Sequence, residues 1–339
     1  MTFEISGYYL ELTNICNAKC YYCYNNSGNK KHESIDFNCL KKFLNTIKND
    51  NVRIILSGGE PFFYEDIFRI LEMIKEYQLK CTIITNGTCL SEHVLKMLDS
   101  NIFTLQMSVN SLKAEVHDSI TGVPGSFSSI SAAIESVKLH SYATKVIVRF
   151  LVQKKNMFEL PDIPTSKLYW RADKILLDVL KFSGRKGKEI YVGSLDQYDI
   201  YNIYHIFSSL GKEHRKIEIP KLTAICKFCL HNDTIRVFPR VDCYGNIYPC
   251  NLFGSDLYCV GNIYHSSPYD IFSDANERLI DFIRTCCDRR KRIVHCAQCF
   301  AKDVCYGGCP GLSSMLGDFY VEDPYCKLRK EYFLGKLPK

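Results

Sequence analysis

From residue 8 to about residue 180, short β-rich runs alternate with amphipathic stretches. Apolar residues concentrated in short segments predict strands at Tyr8–Leu12, Val52–Leu56, Cys81–Thr85, Thr104–Val109, Lys145–Val152 and Lys174–Leu180. Between them the apolar period lengthens to that of a helix. Over 37–47, Phe37, Leu40, Phe43, Leu44 and Ile47 fall on one face, and related patterns cover Ile67–Tyr77, Glu92–Leu98 and Ser128–Leu139. Strand and helix alternating at this spacing build parallel βαβ units. Six units exceed a small motif and fall short of the eight of a closed barrel, so the expected fold class is α/β, an incomplete (β/α)6 TIM-like barrel.

After residue 183 the pattern changes. The stretch 182–188 reads as a loop and Leu195–Leu210 as a helix rich in Tyr and Ile. From Cys226 onward, short β-like pieces are separated by Gly, Pro and Cys with little periodic apolar signal, so bound metal is expected to supply much of the folding energy. The expected division is a core over 1–185, a bridging helical segment over 186–225 and a cysteine-rich domain over 226–339. No internal repeat is visible.

Composition narrows the function classes. A 46% hydrophobic and 24% charged chain is ordinary for a soluble globular protein. No apolar run approaches the ~20 residues of a membrane span. The N-terminus carries Glu4 and lacks the cationic and apolar regions of a secretory signal, so the expected location is cytoplasmic and no membrane partner is expected. The net charge of +6 is a weak footprint, and the run Arg289, Arg290, Lys291 and Arg292 reads as a solvated basic face, so no nucleic-acid partner is expected.

The eighteen cysteines change the picture. In a large chain without a secretion signal, clustered thiols point to zinc or iron–sulfur ligation rather than to a disulfide framework. Cys16, Cys20 and Cys23 lie in the loop after the first predicted strand, where α/β barrels place their chemistry. Three thiolates can hold three irons of a four-iron cluster and leave the fourth open to a small molecule. A zinc knuckle is the alternative, although no nearby histidine completes the set.

This C-x-x-x-C-x-x-C run resembles the signature of the radical S-adenosylmethionine (radical SAM) superfamily, and residues 8–185 resemble that superfamily's core in order. Ser57-Gly58-Gly59-Glu60-Pro61, at the end of the second strand, resembles its G-G-E motif. The resemblance implies that Gly58, Gly59 and Glu60 receive the methionine amino group of the cofactor; a carboxylate suits an ammonium, and glycines permit close backbone approach. Thr85-Asn86-Gly87 resembles a structural T-N-G motif. Ser108 stands where a serine contacts the cofactor, but the usual S-x-D-G is here Ser108-Val109-Asn110-Ser111, without the carboxylate. Tyr22 takes an aromatic position near the adenine. Arg149 resembles a partner of the cofactor carboxylate, with a salt-bridged barrel arginine as the alternative. His117-Asp118 and 122–127 read as helix-capping and loop features.

Downstream, Cys229 is followed after fifteen residues by Gly245, and that after four by Cys250; then come Cys296, Cys299, Cys305, Cys309 and Cys326. This spacing resembles the SPASM extension of radical SAM enzymes, an iron–sulfur domain. The resemblance implies two auxiliary [4Fe–4S] clusters, one on Cys296, Cys299, Cys305 and Cys326, the other on Cys229, Cys250 and Cys309. The fourth ligand of the latter is Cys226, Cys243 or an open iron, and structural zinc is the alternative for the whole set. Cys39, Cys81, Cys89, Cys243, Cys259, Cys286 and Cys287 carry no ligand pattern; Cys39 on a helix and Cys81 in a strand read as small hydrophobes, and a redox-active pair is the alternative for Cys286-Cys287.

The resemblance thus implies three [4Fe–4S] clusters, one binding S-adenosyl-L-methionine, and reductive cleavage of that cofactor to a 5′-deoxyadenosyl radical. The implied substrate is a peptide or protein, with maturation of a ribosomally made peptide first. With its first cysteine at residue 16, the chain has no room for an N-terminal leader-binding element, so a separate leader-recognition protein is an expected partner, beside a flavodoxin- or ferredoxin-type reductant. The alternative is an anaerobic sulfatase maturase making formylglycine. Such enzymes place an aspartate as base after the G-x(4)-C cysteine; here the residue is Asn251, a poor base. A non-catalytic electron carrier would have no use for Gly58-Gly59-Glu60.

Overall fold

The apolar runs of the sequence become strands within a residue or two of their expected ends. The computed structural model describes residues 2–28, 31–140, 143–180, 195–220 and 234–336. The strands are β1 (Thr2–Ile5), β2 (Gly7–Thr13), β3 (Arg53–Gly58), β4 (Lys80–Thr85), β5 (Phe103–Val109), β6 (Lys145–Val152), β7 (Lys174–Val179), β8 (Ile217–Glu218), β9 (Thr234–Val237), β10 (Arg240–Val241), β11 (Asn246–Tyr248) and β12 (Gly261–Asn262). The helices between them include α1 (Phe37–Ile47), α2 (Ile67–Glu76), α3 (Glu92–Leu98), α4 (Ala114–Thr121), α5 (Ser126–His140), α6 (Lys167–Arg171) and α7 (Gln197–Glu213).

The chain forms two compact units. The first comprises Met1–Glu11, Ile35–Ile54 and Lys221–Lys339; the second comprises Leu12–Ser34 and Ile55–Pro220. In the second unit the strand order is β2-β3-β4-β5-β6-β7-β8, an open series, and the pairs from β4 to β8 are parallel. Buried Leu56, Ile83, Leu105, Val148 and Leu177 from the strands, with Ile70, Leu95, Ile120 and Ile134 from the helices, form its core. Parallel strands covered by helices bury an apolar core at about 25 cal/mol per Å² of apolar surface removed from water.

In the first unit the order is β12-β11-β10-β2, with β10 parallel to β2 and antiparallel to β11, while β1 pairs in parallel with β9. The Arg240 guanidinium donates to both oxygens of fully buried Glu11 at 2.7 Å and to the Phe253 carbonyl at 2.8 Å. A buried ion pair is tolerated only when its remaining hydrogen-bonding capacity is met in this way.

Two expectations need correcting. The cysteine-rich stretch is not only short β pieces, because α8 (Glu277–Arg292) buries Leu279, Phe282, Ile283 and Cys286 on one helical face. Phe282 meets Phe253 edge-on at 5.0 Å, so an apolar core exists here independently of metal. Nor is the basic run wholly solvated. Arg289 is 1% exposed, and its guanidinium donates to the Phe319, Gly307 and Val321 carbonyls and to Ser313 Oγ. Among the described residues no helix is long and apolar enough to cross a membrane.

Candidate cofactor and metal sites

The loop carrying Cys16, Cys20 and Cys23 leaves the end of β2 and is tied down on every side within its unit. Gly59 N donates to Thr13 O at 2.7 Å and Glu60 N to Ile15 O at 2.8 Å, joining the loop to the end of β3. Asn17 bridges to the loop after β4, donating to Thr88 Oγ1 at 2.9 Å and accepting from Asn86 Nδ2 at 2.8 Å. Lys19 N donates to Thr121 O at 2.9 Å, at the end of α4. Three thiols are thereby held by backbone and amide bonds from neighbouring βα loops, and each is half-buried.

The two glycines of Gly58-Gly59 serve this closure. A Cβ on Gly58, whose φ is +125°, would lie 2.3 Å from Thr13 O, and one on Gly59 would lie 2.0 Å from Ile15 O. The close approach they allow is to the chain's own cysteine loop. Glu60 is 1% exposed, and its carboxylate accepts from Thr85 Oγ1 at 2.7 Å and Asn86 N at 2.8 Å. Burial pushes its pKa up to about 7 against the pull of those bonds. The T-N-G run is thus the Glu60 anchor.

A cavity in this unit is lined by Cys20, Tyr22, Asn86, Ser108, Asn110 and His117. Tyr22 OH donates to Asn110 Oδ1 at 2.8 Å, while the buried Nδ2 of Asn110 has no partner among the described residues. Asn110 N donates to His117 Nδ1 at 3.2 Å, and burial lowers the His117 pKa to about 4, keeping the ring neutral at physiological pH. Arg149 pairs in register with Ser108 and makes a 2.6 Å salt bridge to Asp178 on the next strand.

Sequence reasoning passed over His117 as a capping residue; it lies inside α4, whereas Asp118 caps the start of α5 through Phe127 N and Gly125 N. It also passed over Glu159, whose carboxylate accepts from Ser111 Oγ at 2.7 Å and Leu112 N at 2.5 Å. A carboxylate absent from the turn after β5 is therefore supplied under it from forty-eight residues downstream. No local pattern announces such a partner.

In the other unit, Cys296, Cys299, Cys305 and Cys326 line one cavity together with Asp323 and Arg329. Tight turns set the thiols: Cys299 N donates to Cys296 O at 3.1 Å and Cys326 N to Asp323 O at 2.8 Å. Gly308 has φ +73°, and a Cβ there would lie 2.5 Å from the Asp323 Cβ. Cys309 is not part of this lining; its amide donates to Asp323 Oδ2 at 2.6 Å. Gly311 packs against Leu252, which brings the chain after Cys309 beside the chain after Cys250. Cys226 and Cys229 lie outside the described residues.

These donor sets fit the implied groups. Burial and the adjacent Cys23 and Cys16 sulfurs push the Cys20 pKa up to about 12, and burial pushes Cys326 to about 12 and Cys296 to about 11. Gathered thiols of this kind become thiolates when a cation neutralises them. Among the described residues no three Cys, His, Asp or Glu side chains converge on a single metal ion. Four thiols around one cavity suit a multi-iron cluster, and the unpartnered Asn110 amide suits a ligand bearing an acceptor.

Residues 10–162 match the Radical SAM superfamily. The subtilosin biosynthesis protein AlbA of Bacillus subtilis is 26% identical over 282 residues, 78% of this chain and 58% of AlbA, so the match spans little more than half of that relative. The AdoMet-dependent heme synthase of Methanosarcina barkeri is 26% identical over 347 residues, 94% of this chain and 95% of the relative. Among solved structures, Streptococcus suis SuiB bound to its precursor peptide SuiA superposes with a TM-score of 0.74 at 16% identity, covering 95% of this chain and 76% of SuiB. The fold, the ordered motifs and the profile match together identify residues 10–162 as a radical SAM domain, and a cysteine-rich region follows it in the chain.

Proposed function

We propose that this chain is an oxidoreductase that cleaves S-adenosylmethionine reductively and modifies the side chains or backbone of a peptide, in the maturation of a ribosomally synthesised precursor. The observation that carries the reading is the cavity where Cys20 meets Tyr22, Ser108 and Asn110, in a loop bonded directly to Gly59 and Glu60. Cys16, Cys20 and Cys23 would hold a [4Fe–4S] cluster, which supplies an open iron for the cofactor and the electron that opens its sulfonium bond.

The chain's residues bind and orient. The Glu60 carboxylate offers an acceptor to the methionine ammonium, with Gly58 and Gly59 setting the backbone beside it. Ser108 offers a hydroxyl and Asn110 its unused amide to the nucleoside, while Tyr22 forms an aromatic wall held by its bond to Asn110. Arg149, braced on Asp178, would be a partner of the cofactor carboxylate. In the other unit Cys296, Cys299, Cys305 and Cys326 would hold one auxiliary [4Fe–4S] cluster, and Cys250 and Cys309, with Cys226 and Cys229, a second. A peptide substrate agrees with AlbA's part in bacteriocin biosynthesis and with the peptide bound to SuiB. Cytoplasmic location, a flavodoxin- or ferredoxin-type reductant and a separate leader-recognition protein belong to the same reading.

Anaerobic reconstitution tests it. Iron corresponding to three four-iron clusters, 5′-deoxyadenosine on reduction with the cofactor, and a mass change in a short peptide encoded beside this chain are the expected results. Fully iron-loaded protein that releases no 5′-deoxyadenosine overturns the proposal. Turnover of a sulfatase peptide or a porphyrin in place of the precursor peptide transfers it to the sulfatase-maturase or heme-synthase reading.

A further inference from the structure

Asn156 and Glu159 follow β6 and are 0% and 6% exposed, yet neither lines the cavity of Cys20, Tyr22, Ser108 and Asn110. Both reach the turn after β5 instead. The Asn156 amide donates to Asn110 O at 2.6 Å and to Leu151 O at 2.8 Å, and its Oδ1 accepts from Gln153 N at 2.8 Å. The Glu159 carboxylate accepts from Ser111 Oγ at 2.7 and 2.9 Å and from Leu112 N at 2.5 Å. Asn110, Ser111 and Leu112 are thus all held from one segment. That segment is itself stiff: a 3-10 helix over Met157–Thr165 carries Pro161 and Pro164, whose rings fix the backbone, and buries Leu160 and Ile163.

Stability alone does not explain a carboxylate at 159. Its partners among the described residues are a hydroxyl and a backbone amide, with no cation among them. A buried carboxylate met only by neutral donors carries a desolvation cost that an apolar side chain of similar volume does not. What the arrangement fixes is the place of Asn110. Its N donates to His117 Nδ1 at 3.2 Å, its Oδ1 accepts from Tyr22 OH at 2.8 Å and its O accepts from Asn156. Helix α4, the cysteine loop and the segment after β6 therefore each hold a different atom of one residue. The buried Nδ2 is left without a partner among the described residues, two positions along from Ser108.

We propose that Glu159 is a positioning residue for the cofactor's nucleoside: with Asn156 it clamps the turn after β5, so that Ser108 and Asn110 hold their polar groups at fixed places in the cavity before S-adenosylmethionine arrives. The inference rests on the reading that this cavity takes the nucleoside. A side chain already held in its binding orientation loses little rotamer freedom when the ligand enters, and a site whose supporting bonds are cut keeps its residues but not their aim. The carboxylate acts here through its two acceptor oxygens rather than its charge. A glutamine amide in the same place still accepts from Leu112 N and donates to Ser111 Oγ.

The test sets affinity against stability in the full chain, reconstituted anaerobically, with S-adenosylmethionine binding followed by calorimetry and folding by urea unfolding. Iron-loaded wild-type protein without affinity for the cofactor refutes the reading of the cavity, and the clamp with it. Given that affinity, Glu159→Leu should weaken it about tenfold, while Glu159→Gln, which keeps both bonds, should stay within about twofold of wild type. In a Ser108→Ala/Asn110→Ala background, Glu159→Leu should cost no further affinity, because nothing is left to aim. If Glu159→Leu does not fold, Ser111→Ala carries the test: it removes the hydroxyl, leaves the carboxylate on Leu112 N, and should weaken binding about threefold. Unchanged affinity in a folded, iron-loaded variant whose unfolding is easier overturns the proposal and makes Glu159 scaffolding. So does an equal loss in Glu159→Gln and Glu159→Leu, which would assign the effect to charge, or a loss that persists in full in the double-alanine background.

Discussion

The two thiol sites are held by different means. The Cys16–Cys23 loop is fixed by uncharged bonds from three neighbouring βα loops, to Gly59 and Glu60, to Asn86 and Thr88, and to Thr121. The Cys296–Cys326 cavity is set by tight turns, and buried charges add to them: Arg289 gathers three carbonyls and a hydroxyl, and Asp323 with Arg329 lines the cavity itself. A sheet positions a loop through its backbone, so three thiols can be presented with one corner left open. At the second site turns and buried side chains together gather four thiols around one cavity.

Removing a thiol from each site breaks the comparison most sharply. Cys20→Ala should abolish 5′-deoxyadenosine formation. Cys305→Ala should retain part of that cleavage while losing modified product, because the open corner belongs to the first site alone. Both are read by chromatography of the reduced, iron-loaded protein, and equal product from the two variants would contradict the division of labour.

Next in size is the buried guanidinium of the second site. Arg289→Met removes the donor to four acceptors, and stranding buried acceptors makes a loss of about 3 kcal/mol in unfolding free energy the expected outcome. Urea unfolding of the metal-free chain measures it. Iron at the C-terminal thiols should fall, whereas deoxyadenosine formation at Cys16, Cys20 and Cys23 should persist. Loss of both would mean that the sites do not stand independently.

A smaller effect follows from Glu60, a buried carboxylate at the first site. Its pKa lies near 7 in the folded chain, above the ordinary 4.5, because burial disfavours the anion. The sign is then fixed. Its contribution to stability is complete below about pH 4.5 and is lost as pH rises towards 7. Binding of an ammonium runs the other way, since it needs the anion. Affinity for S-adenosylmethionine, measured by calorimetry, should therefore fall about tenfold from pH 8 to pH 6, and Glu60→Gln should remove the slope.

Much of the second unit was legible in the sequence. Glu92–Leu98 and Lys145–Val152 were placed to the residue, since apolar periodicity is a local signal, and the three cysteines, Gly58-Gly59-Glu60 and Ser108 stand at strand ends where the motif order put them. What escaped was long-range or disguised. The β1–β9 pair joins residues more than two hundred apart. Helix α8 was hidden because its buried stripe ends on Arg289, which reads as surface. His117 on α4 and Glu159 from beyond β6 both bond to the turn after β5, at Asn110 and at Ser111.

The smallest change probes that convergence. Tyr22 reaches the site from the cysteine loop, and its hydroxyl supplies the proton that occupies Asn110 Oδ1 at 2.8 Å. That bond orients the amide, so the other end, Nδ2, points to whatever fills the cavity. Tyr22→Phe removes one neutral hydrogen bond and leaves the ring, a loss of about 1 kcal/mol. If the bond only stabilises the fold, the loss appears in urea unfolding and the cofactor's affinity is unchanged. If it aims the Asn110 amide, S-adenosylmethionine binding weakens about fivefold as well, and the loss vanishes in an Asn110→Ala background, because there is no longer an amide to aim.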